Sequence, residues 1–452
     1  MRPIVLHDTF SGELKPLETR TPGQVGIYAC GPTVYDRIHV GNARPYVVFS
    51  LLKRFLAHEG YDVTFVANVT DINDKIYVSA RERGVPSDEL AADLTAAYRA
   101  DTDGLGLGRP DAEPLASETL GEIVRLIEEL IKRGHAYEAE GDVYFAVRSY
   151  PGYGALSHRD PDDMDQGEEA DPRGLKRDPL DFALWKATKP DEDTAWDSPW
   201  GRGRPGWHIE CSAMAEKLLG VDFEIHGGGA DLVFPHHENE RAQTEAARDR
   251  PLARIWMHNG MLRLAGEKMS KSVGNIFALS EALGAYGRDA LVMYFCEGHY
   301  RQPVTYSEER LREAAARCRR IREAGRRLVP GPSPADMGAL RERFLAALAD
   351  DFNTPEALSV VAEWITEANR RGGEVGDADL RDMLGLLALD GLLDADARAG
   401  PDEEARQLLD ERETARAERD YATADELRDR LAALGWQVRD SAGGPKLVPL
   451  GS

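Results

Sequence analysis

The start of the chain alternates between strand-like and helical patterns, and this alternation constrains the fold most strongly. Residues 25–29 form a short apolar run and residues 63–69 are rich in β-branched side chains; both patterns are typical of buried strands. Between them, apolar residues at helical spacing from Val47 to Leu56 predict a long helix that ends at Gly60. This connection is too long for a hairpin, so the strands are expected to be parallel in a βαβ unit.

A second strand–helix–strand pattern follows later in the chain. Residues 222–226 and 253–257 are strand-like, the glycines at 227–229 predict a turn, and a helix is expected to begin near Pro235. The intervening region has one clear helix, at 123–132, and an acidic loop at 160–171 that we interpret as a solvated surface insertion. We therefore expect a split, doubly wound parallel sheet that binds its ligands at the carboxyl ends of the strands.

The rest of the chain is predicted to be mainly helical. Residues 307–327 form a basic helical stretch with eight arginines and four glutamates. After a proline-rich break, helices are expected at 339–348, 355–369 and 380–393, and a last unit at 404–452 has the pattern of two helices and a strand-like tail. The expected fold class is α/β: a Rossmann-like domain with an insertion, then a helical domain and a small C-terminal α+β unit.

Charge and cysteine content exclude several classes of protein. The 452 residues carry 56 Lys and Arg against 79 Asp and Glu, a formal charge of -23, which excludes a uniformly basic coat for nucleic acid. The four cysteines are far apart and the N-terminus lacks the apolar stretch of a signal peptide, so we expect a reducing cytoplasm. No apolar run is long enough to predict a membrane span.

The first candidate site is the start of the first long helix, where His39, Gly41 and Asn42 lie. Free backbone N–H groups and the positive end of the helix dipole favour a phosphate there. A histidine at this position can donate to charge that develops on an α-phosphate, and a glycine lets an adenine ring or phosphate chain approach the backbone closely. Considered alone, the histidine is better explained by capping or packing than by a catalytic role.

The second candidate site is the run Gly-Glu-Lys-Met-Ser-Lys-Ser-Val-Gly at residues 266–274. The flexible side chains of Lys268 and Lys271 can follow a moving β,γ-phosphate, and the flanking glycines allow the loop to close. The alternative is a solvated surface loop. Because the chain has 11 lysines and 45 arginines, two lysines and no arginine in this run favour the chemical role.

Together these motifs resemble the paired signatures of class I aminoacyl-tRNA synthetases, conventionally written H-I-G-H and K-M-S-K-S. Three blocks resemble the cysteinyl-tRNA synthetase family more narrowly: Tyr-Ala-Cys-Gly-Pro-Thr-Val-Tyr-Asp at 28–36, Gly-Trp-His-Ile-Glu-Cys-Ser-Ala-Met at 206–214 and Phe-Pro-His-His-Glu-Asn-Glu at 234–240. The resemblance runs from about residue 3 to the last helices. Asn42 replaces the second His of the signature and cannot become a cation, so His39 is expected to carry more of the phosphate stabilisation.

Two cysteines, a histidine and a glutamate form a third candidate site. Cys30 follows a strand, Cys211 is expected to begin a helical run, and His236 and Glu240 are four residues apart on one helix face. Such a set can hold zinc, although its spacing matches no compact zinc finger and a lone buried cysteine is most often only packing. The family resemblance implies that these four residues bind one zinc ion per chain.

The resemblance also implies how the amino acid is selected. A deprotonated thiol forms a Zn–S bond that the hydroxyl of serine cannot match at neutral pH, so no editing site is needed. Further binding residues are expected around the metal and the nucleotide, although Trp207 also fits an ordinary core position. Those expected to bind the amino acid are Gly31, Thr70 and Trp207. Those expected to bind ATP, in addition to His39, Gly41, Asn42, Lys268 and Lys271, are Gly227, Gly228, Gly229 and Asp231.

The implied reaction is that of an ATP-dependent ligase. The carboxylate of L-cysteine attacks the α-phosphate of magnesium-bound ATP, and the terminal ribose of tRNA-Cys then takes the cysteinyl group from the adenylate. His39, Lys268 and Lys271 are the expected catalytic residues. A monomer without membrane contact is expected. The candidates for anticodon contacts are Arg416, Tyr421, Asp425 and Asp440.

The expected domains follow the chain in order. Residues 1–120 and 206–255 are the two halves of the catalytic domain, and residues 121–205 are the insertion, or connective peptide. Residues 256–310 carry the lysine-rich loop and the stem-contact region, residues 311–395 a helical tRNA-binding bundle, and residues 396–452 the anticodon-binding unit.

Three other functions would use parts of the same sequence. An ATP-dependent ligase that joins cysteine to an amino sugar for mycothiol synthesis shares the catalytic half but typically lacks an anticodon unit. A zinc hydrolase would use His236, His237 and Glu238, but the spacing is not His-Glu-x-x-His and the lysine-rich loop would have no role. A non-catalytic RNA-binding module is disfavoured by the intact signature residues.

Overall fold

The computed structural model describes residues 2–164, 173–264, 278–371, 374–394, 403–417, 420–434, 436–441 and 444–449. The helices are α1 (Val40–His58), α2 (Asp74–Arg83), α3 (Ser87–Asp103), α4 (Leu120–Lys132), α5 (Trp207–Leu219), α6 (Glu238–Arg248), α7 (Leu279–Cys296), α8 (Glu308–Gly325), α9 (Gly338–Ala349), α10 (Thr354–Arg371), α11 (Ala378–Leu386), α12 (Glu403–Ala417) and α13 (Tyr421–Ala433). The strands are β1 (Val5–Asp8), β2 (Glu13–Pro16), β3 (Gln24–Ala29), β4 (Asp62–Ala67), β5 (Ala136–Ala139), β6 (Asp142–Phe145), β7 (Phe182–Ala187), β8 (Gly203–Pro205), β9 (Phe223–Gly229), β10 (Ala253–Asn259), β11 (Leu262–Leu264), β12 (Val304–Tyr306), β13 (Leu328–Val329), β14 (Val375–Gly376), β15 (Trp436–Ser441) and β16 (Gly444–Pro449).

The chain divides into two compact units. The first comprises Met1–Glu281, Gly298–Tyr306 and Leu345–Ala357, and the second comprises Ala282–Glu297, Ser307–Phe344 and Leu358–Ser452. Among the described helices, none has an apolar stretch long enough to cross a membrane.

A four-stranded parallel sheet forms the centre of the first unit, in the order β10-β9-β3-β4. Helix α1 connects β3 to β4 and α6 connects β9 to β10, so the two βαβ halves proceed in opposite directions from the pair β3–β9. In open α/β sheets, such a reversal creates a crevice at the carboxyl ends of the strands. The predicted split, doubly wound parallel sheet is confirmed.

Helix α1 has the predicted apolar face. Val47, Leu51, Leu52 and Phe55 are buried at helical spacing, and the helix ends at His58. Gly60 follows with a positive φ of 93°, a conformation that glycine adopts without steric cost. The end of this helix therefore lies where the sequence predicts it.

Three local predictions are wrong. The glycines 227–229 extend strand β9 instead of forming a turn. Cys211 does not begin a helical run, because α5 begins at Trp207 and the cysteine lies inside it. The helix predicted near Pro235 becomes regular only at Glu238, after a turn in which Phe234 is extended.

The insertion forms its own antiparallel sheet in the order β5-β6-β7-β8. Helix α4 packs Ile123, Leu126 and Ile127 against Phe145 and Trp185 of this sheet. The acidic loop predicted at 160–171 lies largely outside the described residues.

The second unit is mainly helical, as predicted. Helix α8 buries Leu311, Ala314, Cys318 and Ile321 on one face, and Ser307 caps its first turn by accepting from the Arg310 amide. The helix predicted at 380–393 is shorter: α11 ends at Leu386, and a separate 3₁₀ turn follows at Asp390–Leu393.

The C-terminal residues form a small α+β unit. Helices α12 and α13 and the antiparallel pair β15–β16 surround a core of Ala405, Leu408, Leu427 and Leu431. The indole of Trp436 packs partly against this core.

Candidate functional site

A cavity of about 1270 Å³ lies at the carboxyl ends of the four central strands. Ala29, Ala67, Gly229 and Asn259 line it, one from the end of each strand. Crevices at this edge are where open α/β sheets bind ligands. The sequence-predicted residues that line the cavity are Cys30, Gly31, His39, Gly41, Asn42, Trp207, Gly229 and Asp231.

The first turn of α1 forms one wall of this cavity. His39 is the N-cap, and the Oδ1 atom of Asn42 accepts from its backbone N–H at 3.2 Å. A Cβ atom on Gly41 would lie 2.8 and 2.9 Å from the Cε1 and Nδ1 atoms of His39. A side chain at position 41 would therefore require the imidazole to shift, which is a second reason for glycine beside the close ligand approach predicted from the sequence.

Lys268 and Lys271 lie outside the described residues. Arg263, one residue before the last described residue ahead of their segment, and Ala278, the first described residue after it, both line the cavity. In addition, the backbone N–H of Leu279 donates to the Ile38 carbonyl at 3.0 Å, next to His39.

The four predicted metal ligands lie together, although they come from three separate parts of the chain. All four are buried, and one ligand atom from each lies within 4.8 Å of the others. The Sγ atom of Cys30 is 3.4 Å from Oε1 of Glu240 and 3.6 Å from Nε2 of His236. Nε2 of His236 is 3.0 Å from Oε1 of Glu240. Two thiols, an imidazole and a carboxylate this close together fit a tetrahedral zinc ion.

Further histidines hold the outer atoms of these ligands. Nδ1 of His236 is 2.9 Å from Nδ1 of His208, and Oε2 of Glu240 is 2.8 Å from Nε2 of His226. Partners of this kind fix the orientation of metal ligands. Sequence reasoning missed both histidines, because their spacing indicates no ligand geometry.

A second combination of four side chains also has suitable spacing: Cys30, His226, His237 and Glu240. In this set His226 is already hydrogen-bonded to Glu240, and Nδ1 of His237 lies 2.7 Å from Nε2 of His258. The first set has two sulfur ligands, which zinc favours, so we prefer it.

Electrostatics in the cluster favour negative charge on Cys211 and Glu240 but not on Cys30. Burial, reinforced by Cys211 and Glu240, raises the pKa of the Cys30 thiol well above its ordinary value. Burial acts in the same direction on Cys211, but hydrogen bonds from Cys30 and the charge of His236 outweigh it and lower that pKa to about 6. Burial alone would also raise the pKa of Glu240, but the charges of His226 and His236 hold it well below its ordinary value.

Trp207 is the first residue of α5 and is half-buried. Its ring stacks on that of His236, with a centroid distance of 4.2 Å and an interplanar angle of 24°. Because it also lines the cavity, Trp207 forms a wall next to the predicted metal ligands.

Asn68 contacts both Gly31 and Thr70, two of the residues that are predicted to bind the amino acid. Its Oδ1 accepts from the Gly31 amide at 2.9 Å, and its Nδ2 donates to the Thr70 hydroxyl at 3.3 Å. Thr70 is buried and is not among the residues that line the cavity, so its contact with the substrate stays a prediction. A Cβ atom on Gly31 would lie 1.7 Å from the Asn68 carbonyl oxygen, so packing requires glycine there.

Two of the three glycines of β9 are explained by packing. A Cβ atom on Gly227 would lie 1.9 Å from Phe49, and one on Gly228 would lie 2.9 Å from Leu232. Neither glycine lines the cavity, whereas Gly229 does, beside Asp231. The direct ATP contact expected at Gly227 and Gly228 is therefore not supported by their position.

The candidate anticodon residues lie in the second unit. Tyr421 is 64% exposed at the start of α13. Arg416 and Asp425 face Glu413 and Arg428 at 3.8 and 3.0 Å. The side chain of Asp440 lies outside the described residues.

Several arginines of α8 have acidic partners. Arg310, Arg312, Arg317 and Arg322 form ion pairs with Glu313, Glu308, Glu297 and Asp289. These pairs neutralise part of the positive charge of the helix. Cys296 and Cys318 are buried, and burial raises the pKa of each thiol to about 12, which suits structural cysteines.

Comparison with solved structures supports the fold. Mycobacterium tuberculosis methionyl-tRNA synthetase, in complex with methionyl-adenylate, is similar with a TM-score of 0.59 at 16% identity, over 82% of this chain and 89% of that chain. LeuRS of Agrobacterium radiobacter K84, in a ternary complex with tRNA, is similar with a TM-score of 0.60 at 12% identity, over 84% of this chain and 85% of that chain.

Sequence comparison identifies the family. The family described as "tRNA synthetases class I (C) catalytic domain" matches residues 16–316, the "DALR domain" residues 343–388 and the "Cysteinyl-tRNA ligase anticodon binding domain" residues 398–445. The cysteine–tRNA ligase of Brevibacillus brevis is 44% identical over 461 residues, covering 98% of each chain. That of Rubrobacter xylanophilus is 46% identical over 470 residues, covering 98% of this chain and 99% of its own. The chain therefore belongs to the cysteine–tRNA ligase family of class I aminoacyl-tRNA synthetases.

Proposed function

We propose that the chain activates L-cysteine with ATP and transfers the cysteinyl group to the 3′ end of tRNA-Cys. One observation carries this proposal: a single cavity contains both Cys30, from the thiol-containing cluster, and the start of α1 with His39 and Asn42. A thiol-selective pocket and a phosphate-binding helix terminus in one cavity suit a reaction between cysteine and a nucleoside triphosphate.

Cys30, Cys211, His236 and Glu240 would hold one zinc ion. When bound, zinc supplies a soft Lewis acid that favours a thiolate over the hydroxyl of serine. The ring of Trp207, stacked on His236, would close the pocket beside the metal. Asn68 would act indirectly, by fixing the peptide after Cys30 against Thr70.

The first turn of α1 would orient the triphosphate of magnesium-bound ATP. The positive end of the helix dipole favours the phosphates, and His39 would donate to charge that builds up on the α-phosphate. Asn42 uses its amide oxygen to cap the helix, so its Nδ2 is the side-chain donor that remains for a ligand. Lys268 and Lys271 would stabilise the departing pyrophosphate.

The second unit would bind the tRNA. We propose residues 311–395 as the helical tRNA-binding bundle and 396–452 as the anticodon-binding unit, with Arg416, Tyr421, Asp425 and Asp440 as contacts. We propose residues 1–120 and 206–255 as the catalytic halves, residues 121–205 as the insertion and residues 256–310 as the stem-contact region. We also propose that the protein works as a monomer in the reducing cytoplasm.

The experiment is charging of total bacterial tRNA with labelled cysteine, with and without prior removal of zinc, beside ATP–pyrophosphate exchange. The proposal expects cysteine-dependent exchange and charging, and both should fall when zinc is removed. Exchange without charging would instead support the amino-sugar ligase. Absence of both reactions in the zinc-loaded protein would contradict the catalytic proposal.

The amino-sugar ligase is the second candidate, because cysteine activation alone would use the same cavity. The match of an anticodon-binding family to residues 398–445 disfavours it, as do relatives named cysteine–tRNA ligase that cover nearly the whole chain. Incubating the protein with cysteine, ATP and an amino sugar tests it directly, and formation of the amide-linked product would favour this alternative.

A further inference from the structure

Asn259 has a buried hydrogen-bond acceptor that no described residue uses. It is the last residue of β10 and pairs in register with Gly229 of β9. The residue is 3% exposed and lines the cavity, and its Oδ1 atom has no hydrogen-bond partner among the described residues. A buried polar atom without a partner is costly and calls for an explanation.

The orientation of this amide is determined by its neighbours. The Nδ2 atom of Asn259 donates to the Gly260 carbonyl at 3.3 Å, and the guanidinium of Arg44 donates to the same oxygen. Rotating the amide by half a turn would place two oxygens against each other and lose a hydrogen bond. The free atom is therefore the oxygen, and a ligand at this position must supply an N–H or O–H group.

The Gly260 carbonyl is itself held in place. Its amide donates to the Tyr300 carbonyl at 2.7 Å, and a Cβ atom on Gly260 would lie 2.4 Å from the backbone of Gln302. The guanidinium of Arg44, in α1, also donates to the His299 carbonyl at 3.1 Å. The Asn259 oxygen is thus fixed before any ligand arrives, which lowers the entropic cost of binding.

The position of Asn259 in the cavity limits which group of a bound ligand can donate a hydrogen bond to its Oδ1 atom. In the strand order β10-β9-β3-β4, one strand separates Asn259 from Cys30 at the end of β3, a distance of about 10 Å at the usual strand spacing. Phosphate oxygens are acceptors at neutral pH and cannot satisfy the amide oxygen. The cavity wall continues from Asn259 to Leu262. The Cβ atom of Leu262 lies 3.5 Å from a Cβ placed on Gly41, in the first turn of α1 where the phosphates are proposed to bind.

We propose that Asn259 is a substrate-binding residue whose Oδ1 atom accepts a hydrogen bond from the adenosine moiety of ATP. The donor is either the exocyclic amino group of adenine or a ribose hydroxyl. This inference rests on the proposed function, in which ATP occupies the cavity, and it assigns part of the nucleotide specificity to a side chain that no sequence motif singled out.

The first test is the KM for ATP in pyrophosphate exchange, measured for the wild-type protein and for Asn259→Ala. We expect a rise of roughly threefold to tenfold, the range of one ordinary hydrogen bond, while the KM for cysteine stays unchanged. Asn353→Ala is the matched control, because it removes the same amide from a residue that caps α10 and does not line the cavity. Its KM for ATP should equal that of the wild type.

ATP analogues test the same contact in the wild-type protein and do not depend on how the variant folds. The probes are 2′-deoxy-ATP, 3′-deoxy-ATP and purine riboside triphosphate, which lacks the 6-amino group. For the wild-type protein, the KM of one analogue should exceed the KM of ATP by the same factor by which Asn259→Ala raises the KM of ATP. The Asn259→Ala variant should have the same KM for that analogue and for ATP. The analogue that meets both conditions identifies the donor.

The outcomes separate this inference from the proposed function. If the wild type catalyses exchange but neither the variant nor any analogue changes the KM, the inference is wrong and the proposed function stands. A rise in the KM for cysteine alone would place the amino acid at Asn259 and would also overturn the inference. Absence of exchange in the wild-type protein would count against the proposed function itself.

Discussion

The imidazole of His226 lies 2.8 Å from Oε2 of Glu240, while the other oxygen of that carboxylate faces Cys30 and His236. An ionised carboxylate can only accept, so the Nε2 atom of His226 carries the hydrogen of this contact. In the preferred ligand set, His226 is therefore expected to orient Glu240 through this hydrogen bond.

Replacing His226 by Gln or Ala is expected to weaken zinc binding by about 10- to 100-fold, because residues that orient metal ligands contribute this much to affinity. Competition with a chelator measures the change. His58→Gln, at the outer end of α1, is the control and should bind zinc like the wild type. Equal affinity in the His226 variants would show that Glu240 needs no such support.

Gly41→Ala should slow cysteine-dependent exchange while the protein remains folded. The new methyl group would meet the His39 ring at 2.8 Å and displace it, and a misplacement of about 1 Å can cost roughly 100-fold in rate. Gly121→Ala, where a Cβ meets only the end of the Arg125 side chain at 3.7 Å, is the matched control. Equal exchange rates in the two variants would remove His39 from the proposed mechanism.

Lys268→Ala and Lys271→Ala are expected to lower the maximal rate of exchange by about 100- to 1000-fold each, the usual cost of removing a donor to transition-state charge. Cysteine binding should change little, because neither lysine belongs to the proposed metal pocket. Initial rates against cysteine concentration separate the two effects. Lys53→Ala, whose lysine pairs with Asp111, controls for loss of charge. Unchanged exchange in both loop variants would exclude the role.

Tyr421→Ala should raise the KM for tRNA in the charging reaction and leave pyrophosphate exchange intact. Stacking of one base on an aromatic side chain is worth ~1–3 kcal/mol, or about 5- to 150-fold in affinity. Leu434→Ala, which truncates another exposed apolar residue of the C-terminal unit, is the control. If both variants charge tRNA like the wild type, Tyr421 does not contact the anticodon.

Asp74→Asn should destabilise the protein at neutral pH but not in acid. Burial alone would raise the pKa of Asp74, but the charges of Lys186 and Arg204 outweigh it and hold the pKa at about 2. A carboxyl with a depressed pKa stabilises the fold above its ordinary pKa of 3.8, and this stabilisation is lost as the pH falls towards 2.

The expected loss from Asp74→Asn at pH 7 is about 1 kcal/mol, because the side chain is 48% exposed and solvent screens the ion pairs. Thermal melting of the variant and the wild type between pH 7 and pH 3 measures it. The difference in melting temperature should shrink below pH 4. A difference that stays constant over this range would mean that the charge of Asp74 contributes nothing.

Short-range sequence patterns determined the architecture. The apolar face of α1 and the β-branched strands on either side of it predict a βαβ unit, because burial and chain length leave few alternatives for such segments. The spacing of four between His236 and Glu240 places both side chains on one face, and the structure confirms their contact although the helix becomes regular only at Glu238. The motifs around His39 and Cys30 likewise predicted which residues would line the cavity.

Tertiary structure decided what depends on contacts between distant residues. Gly227 must be glycine because Phe49 of α1 fills the space that a side chain would occupy. A run of three glycines is compatible with a turn and with a tightly packed strand, so the sequence alone does not distinguish them. The contacts of Asn68 with Gly31 and of His226 with Glu240 join segments with no sequence signal linking them. The Oδ1 atom of Asn259 has no partner among the described residues, which becomes visible only when its amide is placed against the Gly260 carbonyl. The atoms around a polar group, and not its residue type, determine whether it is satisfied.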